Sequence, residues 1–412
     1  MTRKNIFIIS SVIAILLVGV AYGNHHFRGA TGEVTPDGAY ISEENDYTPE
    51  PSPTPYEPYE YTGPELSYDP PSYHFEEELE GYEGDTSSSW HPFHFRNVRQ
   101  PQPLDENTPH GAIAVRHIRH LNDHYYSRFP FSYQEKRAAI WIVGELLAMG
   151  YTWDDIDVQE FDIYDVNHSS ASAARWHNFG TVIHDYDYMR DTYLSQNVIL
   201  TVPGESSQVI VVGAHYDTLL YPGASDNASG TALLLESAQR MLNTDNYYTI
   251  VYVFFGAEEV GLLGAHFFVD NLSDEELSNI IFMVNADVLF EGPYFIFGGG
   301  YQVPGSWSPR SNAISRQWEE LAGYLNFSQG LELISDPYSI FLSSDQRVFM
   351  EAGFTVMMLF GTDFHPSGDF YFRVFHSYRD DFHYIMDRWP DKIDDAMRTF
   401  SIFLEEVLLA MY

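Results

Sequence analysis

Cysteine is absent from this chain. Its absence excludes a disulfide framework, a thiolate zinc site and a cysteine nucleophile, and it leaves stability to the core. Positive charge is scarce: 21 Lys and Arg face 59 Asp and Glu, a net charge of -38 at pH 7. So acidic a body repels phosphate backbones, which argues against nucleic acid as a partner, and it suits cationic metals and substrates with a free ammonium group. Residues 33 to 90 hold sixteen acidic residues and no Lys or Arg. They are also poor in aliphatic side chains, with pieces such as Pro51-Ser52-Pro53 and Tyr56-Glu57-Pro58. Such a tract cannot build a core and is expected to be an extended, self-repelling linker over 33–93.

What is present begins with a targeting signal. Arg3 and Lys4 precede a weakly polar stretch from Ile6 to Tyr22. Residues 1–32 therefore read as a signal peptide, with Ala21-Tyr22-Gly23 as a cleavage site, or as an uncleaved membrane anchor. Either way the protein is expected outside the cell or on its surface. Ordered structure is expected over 94–412, with helices at Gly111–Tyr126, Ser132–Met149, Ser229–Leu242, Val260–Asn271, Ser308–Leu325, Ser344–Ala352 and Lys392–Met411. Strands are expected at Val158–Ile163, Gln196–Val202, Val209–Gly213, Ile250–Gly256, Ile281–Val284 and Thr355–Phe360, several of them apolar throughout, as in a sheet covered on both faces. His117, His120 and His124 share one helical face, and we read them as structural.

Five candidate metal ligands follow in order: His215, Asp226, Glu259, Asp287 and His376. Most lie just past an expected strand, which gathers them at the carboxyl edge of a parallel sheet. His215 has Asp217 two residues on, placed to fix the imidazole tautomer, although a His-x-Asp pair alone is weak. Asp226 sits in the small-residue loop Gly223–Gly230, where taken in isolation it reads as a helix cap. Glu258 and Glu259 are adjacent after a strand, and two such carboxylates resist burial unless cations or protons compensate. One can bind metal while the other handles a proton. Asp287 follows the strand Ile281–Val284 with no Lys or Arg nearby in sequence. For the last ligand, His365 and His383 compete with His376.

These segments together resemble the co-catalytic di-zinc aminopeptidase family that includes bacterial leucyl aminopeptidases and aminopeptidase Y. The resemblance is carried by Ser195-Gln196-Asn197-Val198-Ile199, Gly213-Ala214-His215-Tyr216-Asp217, Ser225-Asp226-Asn227, Glu258-Glu259, Asn285-Ala286-Asp287, Ser344-Asp345 and His376-Ser377-x-x-Asp380. It implies an α/β fold, a three-layer α/β/α sandwich around a mixed, mostly parallel sheet. It also implies two zinc ions, one on His215, Asp226 and Asp287 and the other on Asp226, Glu259 and His376. Glu258 then matches the general base, Asp217 the partner of His215, and Asp226-Asn227 a position where the family tends to have a cis peptide. The expected activity is aminopeptidase hydrolysis of peptide N-termini. Two alternatives stand beside it: a glutaminyl-peptide cyclotransferase on the same scaffold, and a metal-free binding ectodomain. The sequence departs from the family pattern at Gln346, where His is usual, and at Ala265, where Ser is usual; neither removes a ligand.

Overall fold

A computed structural model describes residues 104–105, 107–166, 194–364, 370–371 and 373–410, all within the compact unit Gly63–Tyr412. The expected targeting segment and the acidic linker lie outside them. No helix among the described residues is long and apolar enough to cross a membrane. In chain order the elements are α1 (Ala112–His124), α2 (Tyr133–Met149), β1 (Ile156–Asp162), β2 (Leu194–Val202), β3 (Ser206–His215), α3 (Ser229–Met241), β4 (Tyr248–Phe255), α4 (Leu263–Asp270), α5 (Asp274–Asn279) and β5 (Ile280–Ala286). They continue with β6 (Tyr294–Gln302), β7 (Pro309–Arg310), α6 (Ala313–Gln329), β8 (Leu333–Ser335), α7 (Gln346–Glu351), β9 (Val356–Phe364), β10 (Phe370–Tyr371), α8 (Phe382–Arg388) and α9 (Lys392–Ala410).

The strands form one sheet in the order β1-β2-β4-β3-β5-β9-β6-β7, with β10 on β9 and β8 on β6. Strands β4, β3, β5 and β9 run parallel at its centre, while β2 and β6 flank them antiparallel and β1 pairs antiparallel with β2 at one edge. Parallel neighbours require crossovers, and the helices that make them cover both faces. On one face Val211, Val253, Phe255 and Met283 pack against Phe268 of α4 and Val348 and Phe349 of α7. On the other, Tyr252 bonds Ser237 of α3, Phe282 meets Trp318 of α6, and Phe295 and Phe297 meet Phe400 and Phe403 of α9. Alternate residues of each strand feed opposite layers, as the pleat demands. The result is the α/β sandwich expected from the sequence.

Local rules explain most boundaries. Ser132 caps α2 by accepting from the Glu135 N–H at 3.1 Å, and Gly150 closes it. Helix α1 starts at Gly111 without a local side-chain cap. Its first N–H groups are satisfied from α3 instead, where the buried Glu236 carboxylate accepts from Gly111 and Ala114, each at 2.8 Å. Helix α6 begins at Ala313 rather than Ser308, because Pro309 and Arg310 pair with β6 and Asn312 supplies the cap. His117 and His120 are buried and pack on the Trp141 ring, at centroid distances of 5.5 and 5.0 Å. His117 and His120 are part of the α1–α2 interface, while His124 is exposed.

Candidate metal centre

The parallel centre of the sheet delivers the site. His215 is the last residue of β3, Asp287 directly follows β5, and Glu258 and Glu259 lie three and four residues beyond the end of β4. Asp226 sits in the irregular turn Ala224–Ala228 that opens α3, whose N-cap is Ala228, so it is not the helix cap that its local sequence taken alone favoured. Gly223 makes that turn: its φ is +60°, and a Cβ there would meet the Asp226 carbonyl oxygen at 2.2 Å and the Thr218 methyl carbon at 2.3 Å. The Asp226-Asn227 peptide is cis. His376 comes from the loop between β10 and α8, farther from its strand than the other ligands.

Five side chains remote in sequence converge here. The Nε2 of His215 lies 3.2 Å from an oxygen of Asp287 and 3.2 Å from one oxygen of Asp226. The other oxygen of Asp226 lies 3.2 Å from the Nε2 of His376, which is also 3.2 Å from Glu259. Asp226 therefore spans two histidine-carboxylate pairs. Within the described residues two groups offer donor atoms all within 4.8 Å of one another: His215, Glu258 and Asp287, and Asp226, Glu259 and His376. Of the three candidates for the last ligand, His376 is in place, His383 is bonded to Asp123 at 2.7 Å, and His365 lies outside the described residues. Gln346, where the family pattern has His, accepts from Asn285 at 3.0 Å and donates to the Leu342 carbonyl at 2.8 Å. It braces β5 and takes no part in the cluster.

Asp217 is fully buried and differs in detail from the expectation. The Nδ1 of His215 is closer to the Asp217 backbone carbonyl, at 3.2 Å, than to its carboxylate, at 3.5 Å. The carboxylate instead accepts from the backbone N–H groups of Glu258 and Glu259, at 3.0 and 3.1 Å. One residue thus orients the histidine through its main chain and the double glutamate through its side chain.

The shell around these residues is strained and charged. Ala257 before Glu258, Val288 after Asp287, and His376 itself have φ of 54°, 55° and 52°, a region side chains occupy at a cost that the surroundings must offset. Burial pushes Glu258 well above the usual carboxylate range and, with Asp226 beside it, raises Glu259 to about 7. Burial opposes charge on the histidines, yet Asp287 and Glu258 outweigh it and raise His215. Asp226 and Glu259 likewise raise His376 to about 11. Carboxylates packed this densely draw protons wherever cations do not balance them. Arg128, fully buried, meets this demand in part: it donates to the carbonyls of Tyr216, Tyr125, Pro222 and Gly223 at 2.6 to 3.1 Å, fixing the loop between His215 and Asp226. Sequence reasoning gave no role to Arg128, nor to Glu135, which bonds Ser195 and the Ala257 N–H; both act through contacts far apart in the chain.

The donors are imidazole nitrogens and carboxylate oxygens, without sulfur, in two clusters that Asp226 of one links to His215 of the other. That set fits zinc or another borderline divalent ion. Fold and site together define an α/β enzyme with a candidate metal centre at the carboxyl edge of its parallel strands. The model of peptidase family M28 matches residues 197–401. A relative from Escherichia coli, an alkaline phosphatase isozyme conversion protein, is 25% identical over 284 residues, spanning 63% of this chain and 75% of the relative. An aminopeptidase from Pseudomonas aeruginosa is 33% identical over 170 residues, but these span only 38% of this chain and 31% of the relative. Among solved structures, a zinc aminopeptidase from Bacillus subtilis superposes with a TM-score of 0.57 at 18% identity, over 74% of this chain and 97% of that one. A Bacteroides thetaiotaomicron glutaminyl cyclase superposes with 0.53 at 18% identity, over 77% and 100%. The chain belongs to peptidase family M28 and is a hydrolase.

Proposed function

We propose that the protein is an exported aminopeptidase that removes N-terminal residues from peptides with two zinc ions. The observation that carries this reading is Asp226, whose two oxygens each lie 3.2 Å from a different histidine. His215 and Asp287 would complete one zinc site, Glu259 and His376 the other. Bound there, the pair supplies Lewis acidity toward the scissile carbonyl and an acidified water. Glu258 holds the proton: its carboxylate takes it as the water attacks and returns it to the departing amine. Burial raises the proton affinity of Glu258, the direction a base needs, and neighbouring cations draw it back toward neutrality. Residues 1–32 would direct export, as signal or anchor, and 33–93 would space the catalytic region, 94–412, from the surface. The mass of the mature protein distinguishes cleavage from anchoring.

Glu258→Gln should retain two zinc ions per chain by elemental analysis while turnover of an aminoacyl anilide falls about 10²–10⁴-fold. Near wild-type turnover in that variant would remove Glu258 from the mechanism. A panel of free and N-acetylated peptides tests the substrate end, since an aminopeptidase loses the acetylated ones. The shared scaffold with a glutaminyl cyclase makes cyclisation of N-terminal glutamine the reading to exclude. One zinc per chain together with pyroglutamate formation would favour it.

A further inference from the structure

Four of the five cluster residues lie at or within four residues of the end of a central strand or in the turn that opens α3; His376 does not. It lies on a loop, its φ is 52°, and its side chain is 42% exposed against 1% for His215 and 5% for Asp226. The Phe375 ring stacks on its imidazole at 3.7 Å between centroids, but both residues are exposed. A group that holds this loop therefore governs whether the second cluster exists.

Glu291 is placed to do so. It is 1% exposed and stands four residues after Asp287. The segment leaving β5 is tied to β9, Asp287 donating to the Leu359 carbonyl at 3.1 Å and Gly361 to the Val288 carbonyl at 2.8 Å. Next to Glu291, Gly292 lies so close to β9 that a Cβ would come within 1.8 Å of Thr362 backbone atoms. From this fixed point the Glu291 carboxylate accepts the consecutive N–H groups of Arg373 and Val374, at 2.7 and 2.8 Å. These are main-chain bonds, and the Arg373 guanidinium turns instead to Asp363. The loop then closes on itself, Ser377 donating to the Val374 carbonyl at 2.6 Å. It ends at Asp380, which accepts from the N–H groups of Ser225 and Asp226 at 2.6 and 2.9 Å. His376 thus sits midway between two carboxylate grips, one leading back to Asp287 and one to Asp226. Burying a carboxylate near Asp226 and Asp380 is costly, which argues against Glu291 as incidental filling.

We infer that Glu291 is a positioning residue that holds the His376 loop in its binding conformation and so sets the affinity of the Glu259–His376 zinc site apart from the His215–Asp287 site. The inference rests on the two-zinc reading. Partners of this indirect kind change metal affinity by about 10–100-fold.

The test is zinc binding to the full chain by competition with a chromophoric chelator, on wild type, Glu291→Ala, Glu291→Gln, Glu291→Met and His376→Ala, with thermal melting alongside. His376→Ala identifies which binding step belongs to the loop. Glu291→Ala should weaken that step at least about tenfold and leave the other within about twofold. Both N–H groups meet the same Glu291 oxygen, so Glu291→Gln, which keeps one acceptor oxygen, should stay close to wild type, while Glu291→Met, of similar length without an acceptor, carries the test if the alanine variant does not fold. Two wild-type steps unchanged in Glu291→Ala or Glu291→Met, or both steps weakened in proportion, overturn the inference alone. Fewer than two steps in wild type overturns the two-zinc reading, and this inference with it.

Discussion

Asp217 shows how much one carboxylate can organise. Its spacing from His215 made it legible as a histidine partner, but its grip on the N–H groups of Glu258 and Glu259 crosses some forty residues of chain, and no local pattern records that. Asp217→Asn keeps the shape but offers a single acceptor oxygen, so one of the two N–H groups loses its bond inside a buried site. The expected result is a 10–100-fold fall in zinc affinity or in turnover, read by chelator competition and steady-state kinetics. An unchanged enzyme would mean that the main chain alone fixes the glutamate pair. Four of the five candidate ligands were readable because each stands beside a strand or a small-residue loop, and His376 through the resemblance of its segment, whereas Glu291 was not: nothing near it in sequence signals a loop 82 residues away.

Among the elements, periodicity placed α1, α2, α3, α9 and the central strands, since burying one face or both imposes an apolar pattern. It missed β6, where Gly298-Gly299-Gly300 resembles a loop. These glycines admit neighbours at close range, Ser339 against Gly298 and the Trp318 ring against Gly299. It also missed α5, which buries no residue and is announced only by the Ser273–Glu276 capping box. The α1–α2 interface carries a pH consequence. Burial lowers His120 from 6.5 to about 3 and lowers His117 well below its usual value. Both stay neutral in the fold while the unfolded chain takes up protons below about pH 6.5, so this stability is present above that pH and lost as pH falls toward 3. His120 alone accounts for about 3 kcal/mol lost by pH 4. His120→Phe keeps an aromatic ring on Trp141 and should unfold in urea with a smaller drop in stability between pH 7 and pH 4 than wild type. Equal drops would show that His120 is not shielded.

For the whole molecule, the proposed metal pair would act as a cross-link between β3, β5, the turn before α3, the loop after β4 and the loop before α8. Zinc binding only the folded state, at a thousand times its dissociation constant, adds about 4 kcal/mol. Chelation should then lower the thermal midpoint by roughly 5–10 °C. Without the ions, burial and Asp226 raise Glu259 to about 7, and the neighbouring carboxylates raise His376 to about 11 against the burial that lowers it. A raised pKa means that the fold binds protons the unfolded chain has released, so stripped protein loses stability as pH rises from about 4.5 to 7 and on toward 11. The gap between loaded and stripped melting temperatures should be wider at pH 8 than at pH 6. A constant gap in differential scanning calorimetry would place the protons elsewhere.

The amino-acid order by itself determined the sheet-and-helix alternation and the identity of the ligand candidates, because strand ends, glycine turns and apolar periodicity are short-range consequences of backbone sterics and burial. Only the tertiary structure decided that Asp226 stands between His215 and His376, that Asp217 orients the glutamate pair, and that Glu291 grips the His376 loop. Those relations join segments whose separation along the chain carries no energetic signature until the sheet brings them together.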